Sequence, residues 1–291
     1  MTFPVRLQHA TRYRYDRPVR LGPHDIRLKP VAGCHTPISS YALAVRPERH
    51  TQYGYDDHAG NPVVRVLFPE RISTLEIDVG LAVDLTAINP FDFLLHPAAA
   101  RFPVAYSDAE RRELAPLLDP SDGGDATARW VADFRLSERP DGGETVEILI
   151  RANQRLQREI AYLTRAEHGV QSCTETLERA SGSCRDSSWL LVQILRRFGI
   201  AARFASGYLI QLAGQGENSP DSDRADLHAW AEAYLPGAGW IGLDPTSGLL
   251  TAECHIPLAR AGEPALAAPV TGTVEPCRSR MDHFLSVERR P

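Results

Sequence analysis

The stretch that decides the fold is GSCRDSSWLLVQILRRFG, residues 182–199. Ser183 is followed three residues later by Asp186, which has the form of a helix capping box with Asp in place of the longer Glu. Two arginines and then Gly199 end the segment, and this combination is typical of the last turn and the end of a helix. The pattern predicts a helix whose first residue is Cys184.

A cysteine at a helix start has special chemistry. Unpaired backbone N–H groups and the positive end of the helix dipole favour the thiolate of Cys184 and can also receive the oxyanion of a tetrahedral intermediate. A cysteine is more often a small buried apolar residue, so this alternative stays open for Cys184 taken alone. We expect the other four cysteines to be inert because none of them begins a predicted capped helix: Cys34, Cys173, Cys254 and Cys277.

The segment DLHAWAEAYL, residues 226–235, alternates with a period of two and predicts a strand. One face carries small apolar residues and can accept a helix. The other face carries His228 and Trp230, followed by Glu232 and Tyr234. His228 therefore points away from the apolar face, or from the edge of the sheet, where a general base can meet a thiol.

A hairpin connects this strand to the next one, GWIGLD, which Pro245 ends. A three-residue loop at 236–238 pairs Leu235 with Gly239 and puts Asp244 opposite Trp230, diagonal to His228. Asp244 can then accept a hydrogen bond from the imidazole N–H and orient the ring, which is the role of the carboxylate in a catalytic triad.

Each of these residues also has an ordinary structural interpretation. His228 is explained equally by a sheet position, and Asp244 by a turn before proline. Glu232 and Asp226 are lesser candidates for the partner of the histidine. His255, next to Cys254, is a weak candidate for a substitute base.

The first part of the chain reads as short alternating strands separated by glycine and proline turns. This predicts an antiparallel β-sandwich. The strands are expected at Val5 to Tyr15, His24 to Lys29, Tyr41 to Val45, Thr51 to Tyr55, Val63 to Phe68 and Ile72 to Val83.

The remainder predicts an α+β unit with helices first and an antiparallel sheet second. Helices are expected at Asp108 to Leu118, Asp125 to Phe134 and Thr145 to Tyr162, and strands at Arg203 to Leu212, Leu227 to Leu235 and Trp240 to Asp244. We expect three parts: a β-rich domain at 1–105, a catalytic core at 106–253, and a tail at 254–291 that wraps the surface.

Composition excludes several classes of protein. A chain of 291 residues with 43% hydrophobic residues can bury a sizeable core, and its formal charge of −5 offers no basic field for nucleic acid. Five scattered cysteines fit neither a disulfide scaffold nor a structural zinc site. Since no apolar run approaches a membrane span and no secretory leader is visible, we expect no membrane partner and a cytoplasmic location by default.

Two segments, GSCRDSSWLL and LHAWAEAYLPGAGWIGLDPTSG, resemble the bacterial transglutaminase-like superfamily, and the β-rich start resembles the N-terminal region that accompanies it in bacteria. The resemblance implies a papain-like, transglutaminase-like core in which a helix carrying the nucleophile packs on an antiparallel sheet. It further implies Cys184 as the nucleophile, His228 as the base and Asp244 as the orienting carboxylate. No metal or organic cofactor is expected.

The expected function is cysteine-dependent acyl transfer on a peptide or protein amide, first as hydrolysis by a protease or amidase, and second as amine transfer by a transglutaminase. A third hypothesis is a domain that has lost its activity and binds peptides or bacterial polymers. Arg185 and Trp230 are weak candidates for substrate contact, and the loop 213–226 is a candidate rim of the cleft. Related chains can form the first domain of a longer protein.

Overall fold

Six strands occupy the first part of the computed structural model, which describes residues 2–122, 124–165, 167–214 and 220–290. Each of the six lies where alternation of polar and apolar residues predicts a strand. They are β1 (Thr2–Val19), β2 (Leu21–Ile26), β3 (Ile38–Arg46), β4 (Thr51–Asp56), β5 (Pro62–Leu67) and β6 (Ile72–Thr86).

Helices dominate the next part of the chain, with two very short strands among them. They are α1 (Pro97–Ala100), α2 (Asp108–Glu113), α3 (Ala115–Leu118), α4 (Gly124–Glu138), α5 (Thr145–Glu159), β7 (Ala161–Tyr162), α6 (Cys173–Arg179), β8 (Ser181–Gly182) and α7 (Cys184–Arg197). Within the described residues no helix combines the length and the apolar character that crossing a bilayer requires.

All three predicted helices have different bounds in the structure, and the one expected to end at Phe134 continues to Glu138. The helix expected at 108–118 is divided into two, because Pro116 has no N–H to continue the ladder of the first helix. The helix expected to reach Tyr162 ends at Glu159. Ile160 N–H still bonds to Leu156 within the helix, but Ala161 N–H donates to the carbonyl oxygen of Ala180 at 2.8 Å.

The last part of the chain is mostly strand. Its elements are β9 (Ala202–Gln211), β10 (Arg224–Leu235), β11 (Gly239–Asp244), β12 (Leu249–Leu250), β13 (His255–Ala261), a 3₁₀ turn at Pro264–Ala267, β14 (Val270–Val274) and β15 (Ser279–Arg289). The five-stranded sheet of the core has the order β12-β11-β10-β9-β13, with antiparallel neighbours throughout.

The expectation that residues 254–291 form a surface-wrapping tail is wrong. β13 joins the core sheet beside β9, β14 pairs with β2, and β15 pairs with β1 from Val5↔Arg289 to Tyr15↔Ser279. Only Val287 of β15 is buried, so this edge strand lacks the strict apolar alternation that identifies a strand in a sequence. The segment thus completes both parts of the molecule, and the domain boundary near residue 105 stays a prediction.

The α+β fold and its antiparallel β-sandwich are confirmed. The sandwich consists of two four-stranded antiparallel sheets, β15-β1-β6-β3 and β14-β2-β5-β4. Their inner faces share one apolar core, to which the first sheet contributes Val5, Leu7, Val79 and Leu81, and the second Ile26 and Val66. A second core lies between the helices and the five-stranded sheet.

One face of β9 and β10 belongs to both cores. Near the middle of the molecule it packs against α7, through Phe204, Ala229 and Ala231. Further along the same strands it packs against the sandwich, through Tyr208, Ile210 and Ala225. The two parts therefore hold this sheet from one side, which fixes the strand that carries His228 relative to the helix that carries Cys184.

Candidate active site

The start of α7 has the structure that the capping pattern predicts. Cys184 is its first residue, and Asp186 in the first turn accepts hydrogen bonds from Ser183 N–H at 2.8 Å and from Ser183 Oγ at 2.7 Å. Most of the helix is buried, through Trp189, Leu190, Leu191, Val192, Ile194 and Leu195 among others. Burial of the helix body anchors the position of the thiol at its N-terminus.

Asp186 also ties the helix start to the segment before it, a connection that the sequence does not reveal. Its fully buried carboxylate accepts from Gln171 N–H at 2.7 Å and from Arg165 Nη1 at 2.8 and 3.0 Å. Burial alone would raise the pKa of Asp186, but these bonds and those from Ser183 hold it below its usual value. The carboxylate is therefore an ionised anchor at the base of the helix.

Gly182 allows this close packing. A Cβ added at this position would lie 2.8 Å from the Cβ of Asp186, which is closer than real Cβ contacts, and 3.2 Å from Nε2 of Gln171. Gly182 also ends β8, which runs parallel to β7 and leads directly into Ser183. A glycine is required here because the backbone passes against the capping carboxylate.

The hairpin of β10 and β11 has the predicted register. Pairing runs from Leu235↔Gly239 to Ala231↔Leu243, so Asp244 follows in the position opposite Trp230. The side chains meet as expected from the diagonal arrangement: His228 Nε2 lies 3.1 Å from Oδ2 of Asp244. Both are buried, His228 with 9% and Asp244 with 1% of its surface exposed.

Asp244 receives four hydrogen bonds at its two carboxylate oxygens. Oδ1 accepts from Thr246 N–H at 2.9 Å and from Thr246 Oγ1 at 2.7 Å. Oδ2 faces two imidazoles, His228 Nε2 at 3.1 Å and His255 Nε2 at 3.4 Å. Burial alone would raise the pKa of Asp244, but its bonds to His228 and His255 hold it well below the ordinary range. The carboxylate is therefore ionised, and hydrogen bonds to both of its oxygens fix its orientation.

The thiol of Cys184 completes the group by contacting His228. Burial by itself would lower the pKa of this imidazole, but hydrogen bonds to Asp244 and Cys184 raise it to about 10. Because Nε2 of His228 is engaged by Asp244, Nδ1 is the ring nitrogen left for the sulfur. The folded chain thus brings together the three side chains Cys184, His228 and Asp244.

Cys173 corrects one expectation about the other cysteines. It does begin a capped helix, since the Ser172 side chain accepts from Glu175 N–H at 3.1 Å. Serine followed three residues later by glutamate is the pattern that could have revealed this start. Cys173 is 1% exposed, and burial together with neighbouring Asp122 raises the pKa of its thiol. Among the described residues, two cysteines therefore begin capped helices, and their electrostatic surroundings are opposite.

The two weaker site candidates make contacts of their own within the protein. Trp230 is 2% exposed and packs against His255 with ring centroids 5.3 Å apart, and its contact with substrate stays a prediction. Arg185 donates to the carbonyl oxygens of Arg165 and Glu167, at 3.3 and 3.0 Å, and its contact with substrate stays a prediction.

Neither lesser partner candidate takes the place of Asp244. Glu232 pairs with Arg203 at 2.7 Å and Arg260 at 3.0 Å, whereas Asp244 holds the imidazole of His228. In the candidate rim loop 213–226, residues 215–219 lie outside the described part of the chain.

Tyr162 is a neighbour of the site that the sequence does not single out. It is 60% exposed and lies on β7, beside the short strand that leads to Cys184. Partial burial raises the pKa of Tyr162, and the proximity of Cys184, Asp226 and Asp244 adds to this effect. An exposed aromatic side chain therefore stands close to the thiol.

One group in the described residues has donor atoms close enough together to hold a metal ion. It consists of His228, Asp244 and His255, whose ligand atoms all lie within 4.8 Å of one another. The same atoms form the hydrogen bonds between these three side chains, which satisfies each of them without an ion.

Two family models match the chain. The bacterial transglutaminase-like N-terminal region matches residues 5–84, which hold the first six strands of the β-sandwich, and the transglutaminase-like superfamily matches residues 127–245, which include the start of α7 and the β10–β11 hairpin.

Two relatives and one solved structure illustrate these matches. An uncharacterized protein of Mycobacterium tuberculosis is 27% identical over 286 residues, which cover 94% of this chain and 88% of that protein. A protein-glutamine gamma-glutamyltransferase of Pseudomonas aeruginosa is 35% identical over 71 residues, 23% of this chain and 10% of that protein. The crystal structure of "a Putative Cysteine Protease from Cytophaga hutchinsonii" has a TM-score of 0.73 at 18% identity and covers 99% of this chain and 91% of its own. The last comparison shows a shared fold.

Proposed function

We propose that this chain, whose residues 127–245 match the transglutaminase-like superfamily, catalyses acyl transfer from an amide or peptide carbonyl through a thioester on Cys184. His228 serves as the general base and acid, and Asp244 orients it. One observation carries the proposal: the cysteine at the start of α7 is close enough to His228 to raise the pKa of its imidazole, and Nε2 of that imidazole lies 3.1 Å from the ionised carboxylate of Asp244.

Thioester formation uses both ring nitrogens of His228. Because the pKa of His228 is raised to about 10, its Nδ1 already holds the thiol proton at neutral pH, and the sulfur of Cys184 attacks the carbonyl carbon as a thiolate. The resulting imidazolium keeps its Nε2–H on Asp244, which holds the ring in one orientation and stabilises its charge. Nδ1–H then protonates the departing amine as the C–N bond breaks, which leaves the acyl group on sulfur and the imidazole neutral.

The helix start supports the charge that develops on the carbonyl oxygen. The backbone N–H of Cys184 lies at the positive end of the α7 dipole, beside the reacting sulfur. A donor placed where an oxyanion forms stabilises the transition state more than the substrate, which is the requirement for catalysis. We assign this N–H as an oxyanion donor.

Hydrolysis is the first choice for the second half of the reaction. His228 removes a proton from water, the hydroxide attacks the thioester carbonyl, and the thiol of Cys184 is released with a carboxylic acid as product. Water requires no binding site of its own, whereas an amine acceptor does. Transfer to an amine is the second candidate, and it is favoured by the 71-residue similarity to the glutamyltransferase of Pseudomonas aeruginosa.

A mass-spectrometric assay tests the proposal and separates the two reactions. The purified chain is incubated with a glutamine-containing protein such as casein, with and without an excess of a primary amine. Peptide cleavage or conversion of glutamine to glutamate in both samples is the expected result and indicates hydrolysis. An amine adduct on glutamine would indicate transfer. The Cys184→Ser variant is the control, and a product that forms equally fast with this variant would contradict the assignment of the nucleophile.

A further inference from the structure

We propose that His255 is a positioning residue of the same site, which holds the Asp244 carboxylate in the orientation that aligns His228. This inference rests on the proposed function and adds a fourth side chain to the three that the sequence identifies. The key contact is between His255 Nε2 and Oδ2 of Asp244, at 3.4 Å.

The tautomer of His255 follows from its two contacts. Its Nδ1 accepts a hydrogen bond from Ala252 N–H at 3.4 Å, so the ring proton of the neutral form lies on Nε2. Nε2–H therefore donates to Asp244. Both ring nitrogens are engaged, which leaves neither of them for the thiol of Cys184. His255 consequently acts through Asp244 and not as a substitute base.

The ring of His255 is itself well fixed. Its backbone N–H donates to the carbonyl oxygen of Ala252 at 3.0 Å, and its edge-on contact with Trp230 has an interplanar angle of 81°. The side chain is 11% exposed. Trp230 thus supports the second imidazole.

The two imidazoles reach the same oxygen from different strands. His228 lies on β10, and His255 lies at the start of β13, which pairs with β9 on the far side of β10 from Asp244. Their ring centroids are 6.0 Å apart. Without His255, Oδ2 of Asp244 would be held only by His228, which is the group that the carboxylate has to orient. The hydrogen bond from His255 fixes the position of Oδ2 independently of His228.

The test measures how fast iodoacetamide alkylates Cys184 in the native protein at neutral pH, with EDTA present to remove stray metal ions. This readout needs no knowledge of the substrate. His255→Phe keeps a ring against Trp230 but removes the donor. His255→Gln places an amide N–H near the position of Nε2. His9→Gln is the matched control, because His9 is also buried and hydrogen-bonded, to Tyr208 and Thr11 in the sandwich.

We expect His255→Phe to lower the alkylation rate constant of Cys184 about tenfold, which corresponds to the loss of one hydrogen bond in the array. His255→Gln should restore the rate to within about threefold of the wild type, and His9→Gln should leave it within about twofold. Thermal melting of each variant verifies that the protein assayed is folded.

Two results would overturn the inference while leaving the proposed function intact. One is a wild-type rate for His255→Phe, and the other is an equal loss for His255→Phe and His255→Gln, which would indicate a packing role. A wild-type protein whose Cys184 reacts no faster than an ordinary exposed thiol would instead overturn the proposed function, and the positioning role with it.

Discussion

Cys173 and Cys184 have nearly the same local structure and very different surroundings. Each is the first residue of a helix, each follows a serine, and each precedes an acidic residue two positions later, Glu175 or Asp186. Cys173 is 1% exposed and lies beside Asp122, whose carboxylate accepts from its backbone N–H at 3.2 Å. Cys184 contacts His228. The helix dipole is available to both, so the partner decides which thiol can react.

The difference arises from tertiary structure and not from the helix start. Asp122 also accepts from Trp189 Nε1 at 2.8 Å, so its negative charge is fixed near Cys173 and raises the pKa of that thiol, in addition to burial. The imidazole near Cys184 comes from His228 on β10, a strand that follows α7 and β9 in the chain. A cysteine at the start of a capped helix is therefore only a candidate nucleophile. Which of the two cysteines is reactive depends on the residue packed against its sulfur.

Replacing each cysteine separately should produce the largest contrast. We expect Cys184→Ala to lower turnover in the peptide assay at least about 10³-fold, because the attacking atom is removed. Cys173→Ala should leave turnover of the folded protein within about threefold and act mainly on stability, since this thiol is buried away from the reaction. The rates are measured at matched concentrations of folded protein. Equal losses of turnover in the two variants would contradict the conclusion that only Cys184 reacts.

Removing the charge of Asp244, which orients the imidazole, should cause the second-largest loss of turnover. Asp244→Asn is expected to lower turnover by about 10²- to 10⁴-fold, because the amide supports the wrong tautomer of His228. The Asp244 bond raises the pKa of His228 toward about 10, so the imidazolium persists below that pH and is lost as the pH rises through it. The alkaline limb of the activity profile should therefore move to lower pH in the variant.

The control for this variant is Asp56→Asn, which neutralises an exposed carboxylate on β4 in the sandwich. It should leave both the rate and the alkaline limb close to those of the wild type. An unchanged limb in Asp244→Asn would show that this carboxylate does not set the ionisation of His228.

The two helix caps should differ in their contribution to stability. We expect Asp186→Asn to lower the free energy of unfolding by about 1–3 kcal/mol, since a buried carboxylate with several donors is replaced by an amide. Glu175→Gln should change it by less than about 0.5 kcal/mol, because Glu175 pairs with Arg179 at the surface. Urea denaturation at pH 7 measures both values.

The pH dependence of the Asp186 effect has a definite sign. Folding lowers the pKa of Asp186, so its contribution is present above the unfolded value near 3.8 and is lost as the pH falls through the lower folded value. The difference in stability between wild type and Asp186→Asn should accordingly narrow below about pH 4. A difference that is constant from pH 7 to pH 3 would contradict an ionised, capping Asp186.

The smallest expected effect concerns the unreactive thiol. Asp122→Asn removes the charge that opposes ionisation of Cys173, so alkylation of Cys173 in the native protein should increase about two- to fivefold. The increase is limited because the side chain remains buried. Asp125→Asn, in the first turn of α4, is the control and should have no effect on Cys173. If Cys173 reached the rate of Cys184 in Asp122→Asn, the neighbouring charge alone would account for the contrast.

The local features of the site were readable in the sequence. The capped helix of α7 followed from Ser183, Asp186 and the closing glycine, and these signals act within a few residues. The hairpin register followed from its turn, in which Gly237 and Gly239 adopt φ values of +92° and +78° that favour glycine. Once Leu235 pairs with Gly239, the alternation of side chains fixes the placement of Asp244 near His228.

The long-range features were not readable, for physical reasons. Arg165 and Gln171 reach Asp186 across a loop whose path has no sequence signature. His255 meets Asp244 only because β13 joins the far edge of the sheet, and its strand belongs to the segment that we expected to be a tail. Contacts between elements that are not neighbours in the chain depend on topology, which local patterns do not specify.

The most direct test of the central claim is competitive alkylation of the native wild-type protein, with the extent of modification at Cys173 and Cys184 followed over time by peptide mass spectrometry. Cys184 is predicted to react at least about 100-fold faster than Cys173 at neutral pH, and the two rates should converge in denaturant. Comparable rates in the native protein, or modification of Cys184 only after unfolding, would contradict the assignment of Cys184 as the nucleophile.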